Sequence, residues 1–122
     1  MSDTSTIEGL HAAWIAAFNA HDLDAHQVLY TEDAMLFGSI PDLVVGRAGI
    51  RAYFGARDPS MRVRRYPLPR ILHLSPDFAA TAAHVDFAEG ETLFPYRVTW
   101  MLVRQHGAWR IAQHHGSPRQ DA

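Results

Sequence analysis

Gly107-Ala108-Trp109-Arg110-Ile111-Ala112-Gln113-His114-His115-Gly116-Ser117-Pro118 is the stretch on which the fold turns. Its first half alternates bulky apolar residues with polar ones, the period of a half-buried strand. Its second half sets an amide, two histidines and a serine where the apolar alternation should continue. The stretch reads as the last strand of a sheet, with chemistry-bearing side chains at its far end.

Three strands precede it, at roughly 62 to 74, 79 to 89 and 92 to 104. Their turns are Ser75-Pro76-Asp77, Glu89-Gly90-Glu91 and Gln105-His106-Gly107. Connections this short imply an antiparallel meander. Pro67 and Pro69 mark an edge or a bend in the first of these strands. A two-residue turn at Gly90-Glu91 sets Glu89 opposite Thr92, Val85 opposite Tyr96 and Ala83 opposite Val98. A turn after Arg104 sets Leu102 opposite Ile111, Trp100 opposite Gln113 and Val98 opposite His115.

One face then gathers Ala83, Val85, Phe87, Phe94, Tyr96, Val98, Trp100, Leu102, Trp109 and Ile111, a core that helices must cover. Gln113 and His115 fall on the same face and point inward at its end. The other face gathers His84, Asp86, Arg97, Thr99, Met101, Arg110, Ala112 and His114. That mixture is too apolar for solvent and too charged for a core, and it suits a subunit interface. A slip of one residue would exchange the faces; the density of aromatics on one side argues against it.

Helices come first in the chain. Ser5-Thr6-Ile7-Glu8 has the form of a capping box with Ser5 as N-cap. Ile7, Leu10, Trp14, Ala17 and Phe18 follow at helical spacing, so residues 6 to 20 form a helix with one apolar face. Asp22 is a good N-cap for a second, short helix through about Tyr30, with Leu23, Leu29 and Tyr30 on its buried side. Ala34 to Phe37 reads as a short strand, and Leu43-Val44-Val45 as another beyond the loop that holds Pro41. Gly46 to Phe54 is a third helix, with Ile50, Tyr53 and Phe54 on one side. Helices first and a sheet second means α+β, with the helices packed on one face of the sheet. Residues 1–122 read as one domain, frayed only at 1 to 4 and 119 to 122.

Composition narrows the function. A net charge of -2 makes no electrostatic case for nucleic acid or an anionic membrane. Arg62, Arg64 and Arg65 are the nearest thing to a basic cluster and belong to the solvated or interface side of a strand. There is no cysteine, which excludes disulfides, thiolate metal sites and thiol nucleophiles. No apolar run is long enough to span a membrane, and the N-terminus is polar and acidic, so the expected location is cytoplasmic. No phosphate loop, dinucleotide fingerprint or nucleophile elbow is present, and no cofactor is expected.

Three motifs carry a family resemblance. They are Trp14-x3-Phe18-Asn19-Ala20-His21-Asp22-Leu23-Asp24, Leu29-Tyr30-x2-Asp33-Ala34 and Gly46-Arg47-x2-Ile50-Arg51-x-Tyr53-Phe54. Together they resemble the SnoaL-like branch, of SgcJ/EcaC type, of the nuclear transport factor 2-like superfamily. The closing Gly107-x-Trp109-Arg110-Ile111-x2-His114-His115-x-Ser117 is similar to the same branch and to the association domain of calcium/calmodulin-dependent kinase II. The resemblance implies a cone-shaped α+β fold, three N-terminal helices packed on a strongly curved antiparallel sheet, with a pocket at the wide end. It also implies a homodimer through the outer sheet face. It does not imply one chemistry, because this fold hosts many. Ketosteroid isomerases of the superfamily use a tyrosine and an aspartate whose positions fall on Trp14 and Gly38 here, so steroid isomerisation is not expected.

His115 is the candidate catalytic residue, an interior histidine among Tyr96, Trp100 and Gln113 able to act as general base near neutral pH. A carboxylate to orient it would come from the entrance of the first strand, and Asp33 is the candidate there. Trp14, Phe18 and Phe37 extend the lining of the pocket, and Tyr30, Tyr53 and Tyr96 would offer it hydroxyls. The eight histidines do not assemble a metal site. His114 and His115 point to opposite faces as neighbours on a strand, and His84-x-Asp86 lies about 10 Å from His114. Arg97, diagonally opposite Asp86, is the simpler partner for it. Two readings follow: a cofactor-free protein that binds, or transforms by acid-base chemistry, a small apolar molecule in the cone; or a non-catalytic association module.

Overall fold

The computed structural model describes residues 3–119. Its elements run α1 (Ile7–Asn19), α2 (Leu23–Gln27), β1 (Tyr30–Phe37), β2 (Val44–Val45), α3 (Gly46–Gly55), β3 (Arg62–Arg65), β4 (Arg70–Ser75), β5 (Phe78–Glu89), β6 (Thr92–Gln105) and β7 (Ala108–Pro118). Helix α1 starts one residue later than its expected cap: Thr6 is the N-cap, its hydroxyl accepting the Gly9 amide. Asp22 caps α2 as expected, through the Ala25 amide. That helix stops at Gln27, and Tyr30 opens β1 instead of closing the helix. Of the ends expected to fray, Thr4 is held where its carbonyl accepts the Trp109 amide, and Arg119 where its amide bonds the Pro95 carbonyl. Residues 1, 2 and 120–122 lie outside the described residues.

The seven strands form one sheet in the order β2-β1-β7-β6-β5-β3, with β4 also on β5. The sheet is mixed where an antiparallel one was expected, because β1 runs parallel to β7. The strand expected over 62 to 74 is two: Pro67 and Pro69 interrupt it, and both halves pair with β5. Proline has no N–H to give a ladder, which is why the break falls there. The β5–β6 hairpin has the expected register, Glu89 opposite Thr92, Val85 opposite Tyr96 and Ala83 opposite Val98.

The β6–β7 ladder departs from expectation at one residue. Leu102 does pair with Ile111, but Met101 pairs with Gln113, leaving Ala112 as an extra residue on β7. An extra residue on one strand is a β-bulge, and it resets the in-out alternation beyond it. Trp100 therefore faces His114 and Thr99 faces His115, so His114 turns inward and His115 outward. His114 is buried; His115 and its neighbours Phe37, Met35 and Met101 are on the exposed face. The interior placement of Gln113, His115 and Phe37 is thus corrected.

The helices cover the concave side. Ile7, Leu10 and Trp14 of α1 and Ile50 and Phe54 of α3 join Trp100, Leu102, Trp109 and Ile111 of the sheet in one core. Trp14 sits at its centre, with ring contacts to Phe18, His26, Phe54, Tyr66, Trp100 and His114 between 5.0 and 6.1 Å. Truncating such a residue to alanine costs about 3–5 kcal/mol. The amide oxygen of Asn19 accepts the Val63 amide at 2.7 Å and ties the end of α1 to the first outer strand, β3. Among the described residues no helix is long and apolar enough to cross a membrane.

Candidate functional site

The bulge builds a polar floor into an aromatic cone. Trp100 Nε1 donates to His114 Nδ1 at 3.0 Å, and Tyr30 Oη lies 3.0 Å from the same nitrogen. An indole N–H can only donate, so Nδ1 carries no proton and must accept. Tyr30 in turn accepts from Trp14 Nε1 at 3.0 Å, which leaves its own hydrogen for Nδ1. By elimination His114 is the neutral imidazole with its proton on Nε2. Burial, with the nearby His26 and His115, lowers its pKa from the usual 6.5 to about 3, in the same direction. Burial also raises the Tyr30 hydroxyl well above the ordinary phenol range, so it stays a neutral donor.

Nε2 faces a small inner chamber of about 40 Å³, bounded by Trp14, Tyr66, Val98, His114 and Gly116. A side chain at Gly116 would begin 3.5 Å from that nitrogen, so the glycine keeps the approach to it open. The chamber has room for a water or a small substituent. Tyr53, Phe54, Phe87 and Tyr96 wall both this chamber and a larger outer cavity of about 210 Å³. Phe18, Ser39, Arg57, Met61 and Phe94 complete the outer one.

The mouth carries its own polar group. Tyr53 Oη accepts the Ser39 amide at 2.8 Å and lies 3.0 Å from the Ser39 hydroxyl, which also takes an Arg57 Nη1 hydrogen bond. The Arg57 guanidinium lies 4.6 Å from the centre of the Tyr53 ring. A Cβ at Gly38 would fall 2.2 Å from Tyr53 Oη. The phenol thus occupies the space where a residue larger than glycine would project.

The expected site residues separate into three groups. Trp14, Phe18, Tyr53 and Tyr96 line the two chambers. Tyr30 and Trp100 stand behind the floor as hydrogen-bond partners of His114. Phe37, Gln113, His115 and Asp33 lie elsewhere. Phe37 and His115 pack on each other outside, rings 5.7 Å apart. Asp33 accepts from the Thr31 hydroxyl at 3.1 Å and borders a polar groove with Glu32, Arg47 and Arg110. It sits four residues before Phe37, the strand partner of His115, about 13 Å along β1. Asp33 and His115 are not brought together. Asp86 pairs with Arg119 at 3.4 Å rather than with Arg97.

His114, Tyr66, Phe54, Phe87, Ser39 and Arg57 are site residues that sequence reasoning missed. His114 carried a signal, since it is the other member of the pair already singled out. Two further histidines, His26 and His11, are buried with Nε2 unpartnered. Aromatic rings surround His26, and burial lowers its pKa to about 3.

A family model described as "SnoaL-like domain" matches residues 7–120. Among solved structures, a ketosteroid isomerase-like protein from Erwinia carotovora atroseptica superposes with a TM-score of 0.82 at 21% identity, covering 97% of each chain. An NTF2-like protein of unknown function from Pseudomonas putida gives 0.81 at 22% identity, over 97% of this chain and 87% of that one. An NTF2-like protein with a cystatin-like fold from Novosphingobium aromaticivorans gives 0.80 at 16% identity, over 95% and 81%. No curated protein matches the chain.

Proposed function

The chain belongs to the SnoaL-like domain family, and from that premise we propose that it binds a small, largely apolar molecule in the cone. The observation that carries the reading is His114 Nε2–H, a neutral donor held by Trp100 and Tyr30 at the end of an aromatic cavity. Apolar walls with one placed polar group are the usual make-up of a small-molecule site. The outer chamber, about 210 Å³, lies below the range of drug-sized ligands, about 300–1,000 Å³. A ligand of one or two rings fits it, with a carbonyl or hydroxyl oxygen directed at His114.

The geometry favours binding over acid-base turnover. A histidine whose free nitrogen is already protonated, and whose pKa is about 3, is a poor general base at neutral pH. It serves instead as a hydrogen-bond donor that polarises a carbonyl. No carboxylate lines either chamber among the described residues. Isothermal titration with bicyclic arenes bearing a ketone tests the reading, comparing wild type with His114→Ala and His115→Ala. Loss of binding in the first variant alone is expected; equal binding by all three proteins would remove His114 from the role.

A second reading, homodimeric association, draws on the opposite face. Met35, Phe37, Val45 and Met101 are exposed there beside Arg97, Thr99 and His115. An apolar centre with a polar rim is the composition of a subunit contact. The two readings are compatible, since pocket and contact lie on opposite faces of the sheet.

A further inference from the structure

We propose that the ligand of the cone is an organic acid, its carboxylate held at the mouth by Arg57 while its apolar body fills the aromatic chamber. This deepens the binding reading above and rests on it.

Arg57 is the one cation lining the outer chamber among the described residues. It follows the end of α3, beyond Gly55. Its position there is locked by stacking on Tyr53 and by Nη1 donating to Ser39. A guanidinium presents five N–H donors in a rigid fork. Here one of them is spent on Ser39, and Nε is buried with no partner. Among the described residues no carboxylate pairs with Arg57; the ion pairs join Arg51 to Asp24, Arg104 to Asp77 and Arg119 to Asp86. The nearest acid in sequence, Asp58, is engaged by the Ser60 amide and hydroxyl and by Glu89.

A cation placed beside an apolar chamber without a counter-charge is unusual, because an unpaired charge at low dielectric is costly. Preorganised by Tyr53 and Ser39, this fork matches a planar carboxylate, which it can hold by two parallel hydrogen bonds. The Ser39 hydroxyl stands next to it as a further polar contact. A neutral ligand of the same shape would leave the guanidinium as it is, so the acid should be preferred over its ester.

The probes are 2-naphthoate and its methyl ester, titrated calorimetrically into the wild-type protein at neutral pH. The acid is expected to bind about ten- to a hundredfold more tightly than the ester, the range of a charge-assisted pair. Raising salt should weaken the acid and leave the ester unmoved. Arg57→Gln should bring the acid-to-ester ratio to about one, whereas Arg57→Lys, which keeps the charge without the fork, should retain part of it. Equal affinity of acid and ester for wild type overturns the proposal and leaves the pocket reading standing. So does a preference that survives in Arg57→Gln. Failure of both probes to bind overturns the pocket reading and this one with it.

Discussion

His114 is held through one nitrogen and offers the other. Trp100 and Tyr30 both give hydrogens to Nδ1 at 3.0 Å, so replacing the ring removes the acceptor of two buried donors at once. An unsatisfied buried donor costs about 1–3 kcal/mol. His114→Ala should therefore lose roughly 3–5 kcal/mol in urea denaturation, cavity included, and His115→Ala less than about 0.5 kcal/mol. Equal losses would place the wrong histidine inside. Acid tests the same burial. His26 and His114 have folded pKa values near 3 against 6.5 unfolded. Below pH 6.5 the unfolded chain thus binds more protons, and stability falls until the pH passes the folded value. At pH 5 each histidine contributes about 2 kcal/mol less than at neutrality. With roughly 4 °C per kcal/mol for a chain of this size, Tm should drop by about 15 °C between pH 7.5 and 5. His26→Phe should remove about half of that drop; an unchanged slope would mean that His26 is not buried as the neutral form.

Ala112 decides more of the site than any ionisable residue, because the bulge there chooses which half of β7 faces the cone. Period and turns were enough to read α1 and α3, the β5–β6 register and the core face as far as Ile111. All of these follow from patterns repeated over many residues. A bulge is one unpaired residue, and alanine carries no period to reveal it. The shift it causes moved His115, Gln113 and, through β1, Phe37 out of the expected pocket. Asp33 is parted from His115 by length alone, four residues or about 13 Å along β1 from Phe37, the strand partner of His115. The mouth was illegible because Ser39, Tyr53 and Arg57 come from a loop and a helix end that only tertiary packing unites. Deleting Ala112 removes the unpaired residue and leaves Leu102 opposite Ile111, Met101 opposite Gln113 and Trp100 opposite His114 in an unbroken ladder, so His114 should stay inside. The deletion should therefore cost little in denaturant. A loss of several kcal/mol, as expected if Gln113 and His115 were turned unpartnered into the core, would contradict the bulge. At the other wall, Gly38→Ala should displace the Tyr53 phenol and cost about 1–3 kcal/mol.

The whole molecule divides its sheet between a concave face that encloses aromatic rings and a convex face that leaves Met35, Phe37 and Met101 in solvent. Under the association reading Met101→Glu should convert a dimer to a monomer, read by light scattering, with ligand affinity unmoved. A wild-type monomer would end that reading and leave the pocket untouched. The pocket rests on a single arrangement: His114 inside the cone, neutral, its proton on Nε2 and aimed at the inner chamber. Long-range ¹H–¹⁵N correlation of the histidine side chains, followed from pH 7.5 to 4 with and without 2-naphthyl methyl ketone, observes all of this directly. His114 should show the Nε2–H tautomer throughout, fail to titrate above pH 4, and shift on addition of the ketone while His115 does not. A His114 ring that titrates near pH 6.5, or carries its proton on Nδ1, would contradict the account.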